Sequence, residues 1–199
     1  MKLKKIISWL LPIALGIILA IGIQTYLVSF VRVDGSSMQP NLTNNERVFL
    51  LRKQPIKRFS VVIFDAYQVA PGATKGSNFI KRVIAVPGDR IKYTKQGNLY
   101  INGKLVPQKF ISKTQRTTET LANVAPNGFD LKTLSQQWRG YHGQRITTVP
   151  KNQYFVMGDN RTVSYDSRSW GLVPKAKIKG VAYAPGWTDH RKQINEAKN

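Results

Sequence analysis

The sequence has no cysteine, only two histidines, and 10 acidic residues against 31 lysines and arginines. Without cysteine there is no disulfide, no thiolate metal ligand and no cysteine nucleophile. The carboxylates are thinly spread and do not cluster with His142 or His190, so we expect neither a metal site nor a Ser-His-Asp triad. A glycine-rich phosphate loop is also missing, and we expect no cofactor.

The scarcity of acidic residues leaves a formal net charge of +21. Such an excess favours polyanionic surroundings, for example acidic lipid headgroups or anionic wall polymers. The basic residues are scattered along the chain rather than gathered in one block. Scattered charge is typical of a solvated surface, and we do not expect nucleic-acid binding.

A long uncharged segment, residues 6–31, follows the basic N-terminus. A helix needs about 20 apolar residues to cross a bilayer, so this segment predicts a transmembrane anchor. The positive-inside rule then predicts that residues 1–5 are cytoplasmic and residues 32–199 extracytoplasmic, in a single-pass protein of the cell membrane. The alternative is a cleaved signal peptide with a small-x-small site at Ala20-Ile21-Gly22.

After residue 32 the pattern is that of β-strands: short alternating or β-branched runs separated by Pro-Gly and Asn-Gly pairs. Asn102-Gly103 predicts a tight hairpin. Residues 111–145 are polar and irregular, and we expect an insertion or small subdomain there. The predicted fold is mainly β, an antiparallel β-sheet catalytic domain on one N-terminal transmembrane helix. The strand-like runs are Arg47–Leu51, Ser60–Phe64, Phe79–Val86, Asn98–Ile101 and Gln153–Met157.

Three segments carry candidate chemistry: residues 34–42, 79–89 and 158–171. With the other nucleophile systems excluded, a serine activated by a lysine remains. A lysine acts as a base only when it is neutral, which requires its pKa to fall from about 10.4 to roughly 7–8. Lys81 has apolar neighbours on a predicted strand, the setting in which burial lowers a pKa. The pattern by itself favours the alternative, an ordinary solvent-facing strand lysine.

In this order, the three segments resemble the motifs of type I signal peptidases. Asp34–Leu42 is similar to the nucleophile motif, in which the reactive serine directly precedes methionine, and the resemblance places that serine at Ser37. Phe79–Asp89 is similar to the Lys-Arg-hydrophobic-Pro-Gly-Asp motif, which implies that Lys81 is the general base.

The third segment, Gly158–Gly171, is similar to the Gly-Asp-Asn-Arg motif of the same family. There the resemblance implies that Ser164 hydrogen-bonds the base, and that Asp166 and Arg168 form an ion pair that holds the loop. The short chain and single anchor resemble the Gram-positive members.

The resemblance implies a membrane-bound serine endopeptidase that removes N-terminal signal peptides from exported preproteins after small-x-small sites. Its expected partners are these preproteins and membrane lipid. It also suggests residues for the pockets that accept small side chains, although each fits an ordinary core position equally well. They are Val31, Val33, Leu42 and Ile80.

The chain departs from the family pattern at two places. Gly35 stands where some members carry a serine that donates to the oxyanion, which leaves the backbone N–H of Ser37 as the expected donor. Phe59-Ser60 replaces the usual Gly-Asp before a strand. Two rival interpretations are weaker. A self-cleaving repressor-type protease needs a DNA-binding domain where the uncharged segment lies, and a basic protein that binds wall polymers or lipid does not explain the three motifs.

Overall fold

The computed structural model describes the backbone of residues 2–122, 125–141 and 145–196, and the side chains of these residues except 2–7, 23–25 and 141. His142 lies outside this range. The chain begins with helix α1, Lys2–Tyr26. The large apolar side chains described along α1, from Trp9 to Ile21, are each more than half exposed. Among the described residues, no helix combines the length and the apolar character that crossing a membrane requires.

In the described residues the chain also forms eleven strands. They are β1 (Val28–Arg32), β2 (Arg47–Leu51), β3 (Val61–Asp65), β4 (Asn78–Ala85), β5 (Ile91–Thr94), β6 (Leu99–Ile101), β7 (Lys104–Val106), β8 (Gly128–Asp130), β9 (Gln153–Met157), β10 (Val173–Pro174) and β11 (Ile178–Tyr183). All pair antiparallel. The prediction of a mainly antiparallel β fold is confirmed.

The N-terminal helix ends earlier than the uncharged segment predicted. Helix α1 ends at Tyr26, and residues 28–31 belong to β1, in which Val31 lies opposite Val48 of β2. Alternating β-branched and aromatic residues favour a pleated strand, and the pairing satisfies their backbone groups. The absence of charge cannot distinguish this strand from the helix before it.

The strands form two sheets. The larger has the order β1-β2-β11-β3-β4-β9-β10, and the smaller has the order β7-β6-β5-β8. The last strand, β11, therefore lies between β2 and β3. In the smaller sheet, Asn102 and Gly103 have φ values of 53° and 79°. Two positive φ angles are what a two-residue hairpin turn of the I′ type requires, so β6 and β7 form the predicted hairpin.

The predicted subdomain is larger than residues 111–145. Three of the four strands of the small sheet, β5, β6 and β7, precede that segment, and only β8 lies within it. The segment also contains a π-helix (Gln115–Glu119), α2 (Leu131–Ser135) and a 3₁₀ turn (Arg139–Tyr141). These elements are only three to five residues long, so the sequence shows no apolar periodicity that predicts them.

The two sheets share one apolar core. Tyr93 and Phe129 of the small sheet are stacked with ring centroids 5.1 Å apart, and Phe129 contacts Phe155 of the large sheet. Burial of each such side chain contributes about 1.5–3 kcal/mol, which holds the small sheet against the large one. The remaining elements are a 3₁₀ turn (Lys175–Lys177), α3 (Ser167–Trp170) and α4 (Arg191–Asn195).

Candidate active site

The three candidate segments meet at one end of the large sheet. Strand β9 pairs with β4 so that Met157 lies opposite Arg82. The loop that begins at Gly158 therefore emerges beside Lys81. The turn that follows β1 joins the same place, because the backbone N–H of Asn160 donates to the carbonyl oxygen of Ser37 over 3.0 Å. Residues distant in sequence are brought together by strand register.

Ser37 and Lys81 are in direct contact. The Lys81 Nζ donates to Ser37 Oγ over 2.7 Å. Lys81 is only 4% exposed, whereas Ser37 is half-buried and remains reachable from solvent. Val62 of β3 lies opposite Lys81 on the neighbouring strand. Of the two interpretations of Lys81, the solvent-facing one is therefore wrong.

Burial lowers the pKa of Lys81 from 10.5 to about 8. The nearby carboxylates of Asp166 and Asp159 favour the charged ammonium and partly oppose this shift, while Arg168 reinforces it. Near neutral pH an appreciable fraction of the amine is therefore neutral. A neutral amine at hydrogen-bond distance from a serine hydroxyl has the geometry needed to accept its proton.

Asp166 and Arg168 organise the loop after β9. Arg168 Nε donates to Asp166 Oδ1 over 2.8 Å, and both side chains are buried. The backbone N–H of Gly158 donates to the other carboxylate oxygen over 3.0 Å. Burial by itself would raise the pKa of Asp166, but the charge and hydrogen bonds of Arg168 outweigh it and leave the pKa below its usual value. The loop thus closes on an ionised carboxylate.

Ser164 is close to the pair, but the predicted hydrogen bond to Lys81 is absent. Its Oγ is buried and has no hydrogen-bond partner among the described residues. Ser164 packs instead against Gly158, where an added Cβ would collide with the Ser164 hydroxyl and lie 2.5 Å from the Ser37 carbonyl oxygen. The predicted bond between Ser164 and Lys81 is therefore wrong, and Lys81 Nζ donates to Ser37 instead. Glycine at position 158 is what allows the two serines to approach.

The backbone N–H of Ser37 has no acceptor among the described residues. It is therefore free to receive a hydrogen-bond acceptor from a bound molecule. Gly35, two residues earlier, has a φ of 87° and open space around the position of a Cβ. Its own N–H donates to Asn44 Oδ1 over 3.0 Å. The glycine thus serves a left-handed turn, a conformation that favours glycine over serine.

A second buried ion pair was missed by the sequence analysis. Arg82, one residue after Lys81, donates from Nη2 to Asp159 over 2.6 Å, and both side chains are essentially inaccessible. Asn41 donates to the same carboxylate over 2.8 Å. The charged residue next to Lys81 and the acidic residue after Gly158 were visible signals. Their pairing was not, because it joins positions 77 residues apart.

The four predicted pocket residues lie in one apolar cluster near Ser37 together with Met38. Leu42 is fully buried and Val33 is 3% exposed, so both are packed as core residues in this structure. Ile80 is 8% exposed, and Val31 is the most accessible of the four.

A serine hydroxyl at hydrogen-bond distance from a buried lysine amine has the geometry of a nucleophile beside a base. Residues 6–187 match the family model described as signal peptidase, peptidase S26, and the chain belongs to that family. The family is that of the type I signal peptidases, which are serine-type peptidases.

Two named relatives support membership of this family. The chain is 33% identical to a probable signal peptidase I-2 of Synechocystis, over 86% of this chain and 69% of the relative. It is 30% identical to signal peptidase IB of Staphylococcus aureus strain COL, over 92% of this chain and 91% of the relative. A crystal structure of a signal peptidase I from Enterococcus faecalis V583 is 28% identical, covers 64% of this chain and 97% of its own, and has a TM-score of 0.48.

Proposed function

We propose that Ser37 is the nucleophile and Lys81 the general base of a dyad that cleaves preproteins after small-x-small sites. The observation that supports the dyad is the 2.7 Å hydrogen bond from a buried amine to the Ser37 hydroxyl. Burial lowers the pKa of that amine to about 8, so a neutral base is available without histidine.

The proposed reaction has two halves. Neutral Lys81 takes the Ser37 proton as Oγ attacks the scissile carbonyl carbon, and the carbonyl oxygen becomes an anion. The free Ser37 N–H donates to that oxyanion. When the peptide bond breaks, the Lys81 ammonium returns the proton to the leaving amine, and an acyl ester remains on Ser37. Lys81 then deprotonates water, which attacks the ester. As the ester bond breaks, the Lys81 ammonium returns that proton to Ser37 Oγ, and the signal peptide is released.

Asp166 and Arg168 support this dyad indirectly. Their ion pair and the Gly158 N–H hold the loop that packs against Ser37. Asp166 also favours the charged form of Lys81, which keeps the amine basic enough to accept the Ser37 proton. Ser164 contributes contact with Gly158 rather than a hydrogen bond to the base.

We assign selection of small side chains to the apolar cluster beside Ser37. A small group of the substrate would lie against Val31 and Ile80, which retain some exposure, while Val33 and Leu42 pack behind them. Because this surface is closely packed, a large side chain would require core residues to move, and such movement is costly. Alanine and glycine fit without it.

The proposal also includes attachment to the membrane through the uncharged part of α1, residues 6–26. It rests on the uncharged sequence of this segment and on the basic residues before it. Attachment would hold enzyme and membrane-bound preprotein on one surface and raise their effective concentration. Release of the full chain from membranes by alkaline extraction would contradict it.

The decisive experiment compares two adjacent serines. We expect that Ser37→Ala abolishes cleavage of a precursor carrying an Ala-x-Ala site, and that Ser36→Ala, the matched control on an exposed neighbour, leaves cleavage intact. Purified full-length chains are assayed in detergent, with folding checked by thermal unfolding. Activity in Ser37→Ala, or its loss in Ser36→Ala alone, would overturn the assignment of the nucleophile.

A further inference from the structure

The π-helix that packs on the small sheet contacts the backbone next to Ser37 through the side chain of Gln115. Gln115 begins the π-helix, an element frequent at functional sites. Its Oε1 accepts a hydrogen bond from the backbone N–H of Arg161 over 2.7 Å. Arg161 belongs to the loop after β9. Asn160, the residue before it, hydrogen-bonds the carbonyl oxygen of Ser37 in the turn after β1. Gln115, which lies outside the three motifs, therefore bonds the residue next to the one that bonds Ser37.

The π-helix is itself firmly seated on the small sheet. Tyr93 of β5 donates its hydroxyl to the carbonyl oxygen of Arg116 over 2.8 Å. Gly97 lies so close that an added Cβ would be 2.7 Å from the same oxygen. The Thr120 hydroxyl donates to the Gln115 carbonyl oxygen over 2.6 Å. Tyr93 and Gly97 thus tie the π-helix to the small sheet through contacts that do not involve the Arg161 backbone.

On the other side of the contact, Asn160 holds both peptide planes that flank Ser37. Its backbone N–H donates to the Ser37 carbonyl oxygen over 3.0 Å. Its Nδ2 donates to the Ser36 carbonyl oxygen over 3.2 Å. In a trans peptide the C=O and N–H point in opposite directions within one rigid plane. The bond to the Ser36 oxygen therefore sets the direction of the Ser37 N–H.

The peptide plane that links Asn160 to Arg161 is held at both edges. Its oxygen accepts from the Ser164 N–H over 3.0 Å, and its N–H donates to Gln115. The Arg161 side chain, which is 1% exposed, donates to Thr120 at the end of the π-helix and to Gln108, two residues after β7. Loss of the Gln115 acceptor would leave a buried N–H unpaired, so the plane would turn to find another partner.

We propose that Gln115 is a positioning residue for catalysis: by fixing the Asn160–Arg161 peptide, it aims the Ser37 N–H at the oxyanion. This inference rests on the proposed role of Ser37. It assigns the small sheet a part in the reaction, namely to hold the orientation of a donor that Gly35 cannot supplement with a side chain. An oxyanion forms only as the reaction proceeds, so misalignment slows the chemical step and leaves substrate binding nearly unchanged.

The test uses the full chain and a precursor with an Ala-x-Ala site, with kcat and KM measured separately. We expect Gln115→Leu, which removes the acceptor, to lower kcat roughly tenfold and to change KM by less than about twofold. Gln115→Glu keeps an acceptor at the same place and should restore kcat to within about threefold of wild type. Thr118→Ala, an exposed change on the same π-helix, is the control and should leave both constants unchanged.

A second variant guards against a folding defect in Gln115→Leu. Asn160→Ala removes the half-buried side-chain amide that bonds the Ser36 carbonyl oxygen, and it should also lower kcat at nearly constant KM. Each kcat is expressed per folded enzyme, with the folded fraction taken from thermal unfolding. Wild-type kcat in Gln115→Leu, an equal loss in Gln115→Glu, or a rise in KM at constant kcat would overturn the inference. Ser37→Ala in the same assay separates the two hypotheses, because activity in that variant would instead overturn the nucleophile.

Discussion

Lys81 and Arg82 are neighbours on β4, both cationic and both nearly inaccessible, yet their surroundings differ completely. Side chains of consecutive strand residues point to opposite faces. Arg82 meets Asp159 and two backbone carbonyl oxygens, so its charge is fully matched. Lys81 meets the hydroxyl of Ser37, and in the described part of the chain it has no carboxylate at ion-pair distance.

The difference shows how one strand supplies both a structural and a reactive cation. A buried charge with a carboxylate and complete hydrogen bonding stays charged, and loss of one partner is costly. A buried charge with only a neutral partner is destabilised, and the pKa of Lys81 falls accordingly to about 8. The burial that makes Lys81 costly to hold in its charged form also makes it a candidate base.

The largest effect on activity is expected when Lys81 is replaced by arginine, the residue type next to it on β4. Lys81→Arg keeps the positive charge but not the ability to lose a proton, because arginine stays protonated in proteins. Loss of a general base should lower kcat/KM by roughly 10²–10⁴-fold. In the wild type, kcat/KM should rise with pH through about 8 as the Lys81 ammonium deprotonates. Measurement of kcat/KM across that pH range checks both, and an active Lys81→Arg enzyme would rule out a lysine base.

The next largest effect concerns stability. Arg82→Met leaves the Asp159 carboxylate buried without its cation, and we expect the free energy of unfolding to fall by about 3–5 kcal/mol. The double variant Arg82→Met/Asp159→Asn removes both charges and should recover a large part of this loss. Urea unfolding of the two variants makes the comparison. Equal stability of the single variant and the wild type would show that the buried pair contributes little.

The smallest of the three effects is the pH dependence of stability that the buried Lys81 contributes. The pKa of Lys81 is lowered in the folded state, so the unfolded chain binds more protons between pH 8 and 10.5, and the stability contributed by this residue rises across that window. The unfolding free energy of the wild type minus that of Lys81→Met should therefore increase by about 3 kcal/mol from neutral pH to the upper end. Chemical unfolding at several pH values measures the difference. A constant difference would mean that Lys81 keeps its ordinary pKa when folded.

Much of the fold could be predicted because its signals are local. Arg47–Leu51 and Gln153–Met157 were predicted as strands with the bounds that the structure gives them. The Asn102-Gly103 turn was predictable because two successive positive φ angles strongly favour these residues. The end of α1 was not, because residues 28–31 become a strand only by pairing with β2. For the same reason, the small sheet could not be outlined from the polar segment 111–145.

The sequence by itself determined which residue types are available: no cysteine, two histidines, and a serine and a lysine within motifs that resemble one family. Only the tertiary structure decided what those residues do to one another. Burial of Lys81 beside Ser37, the pairing of Arg82 with Asp159 and the reach of Gln115 to Arg161 all join distant parts of the chain. A pKa depends on the dielectric surroundings and on neighbouring charges, and these exist only once the strands have set their register.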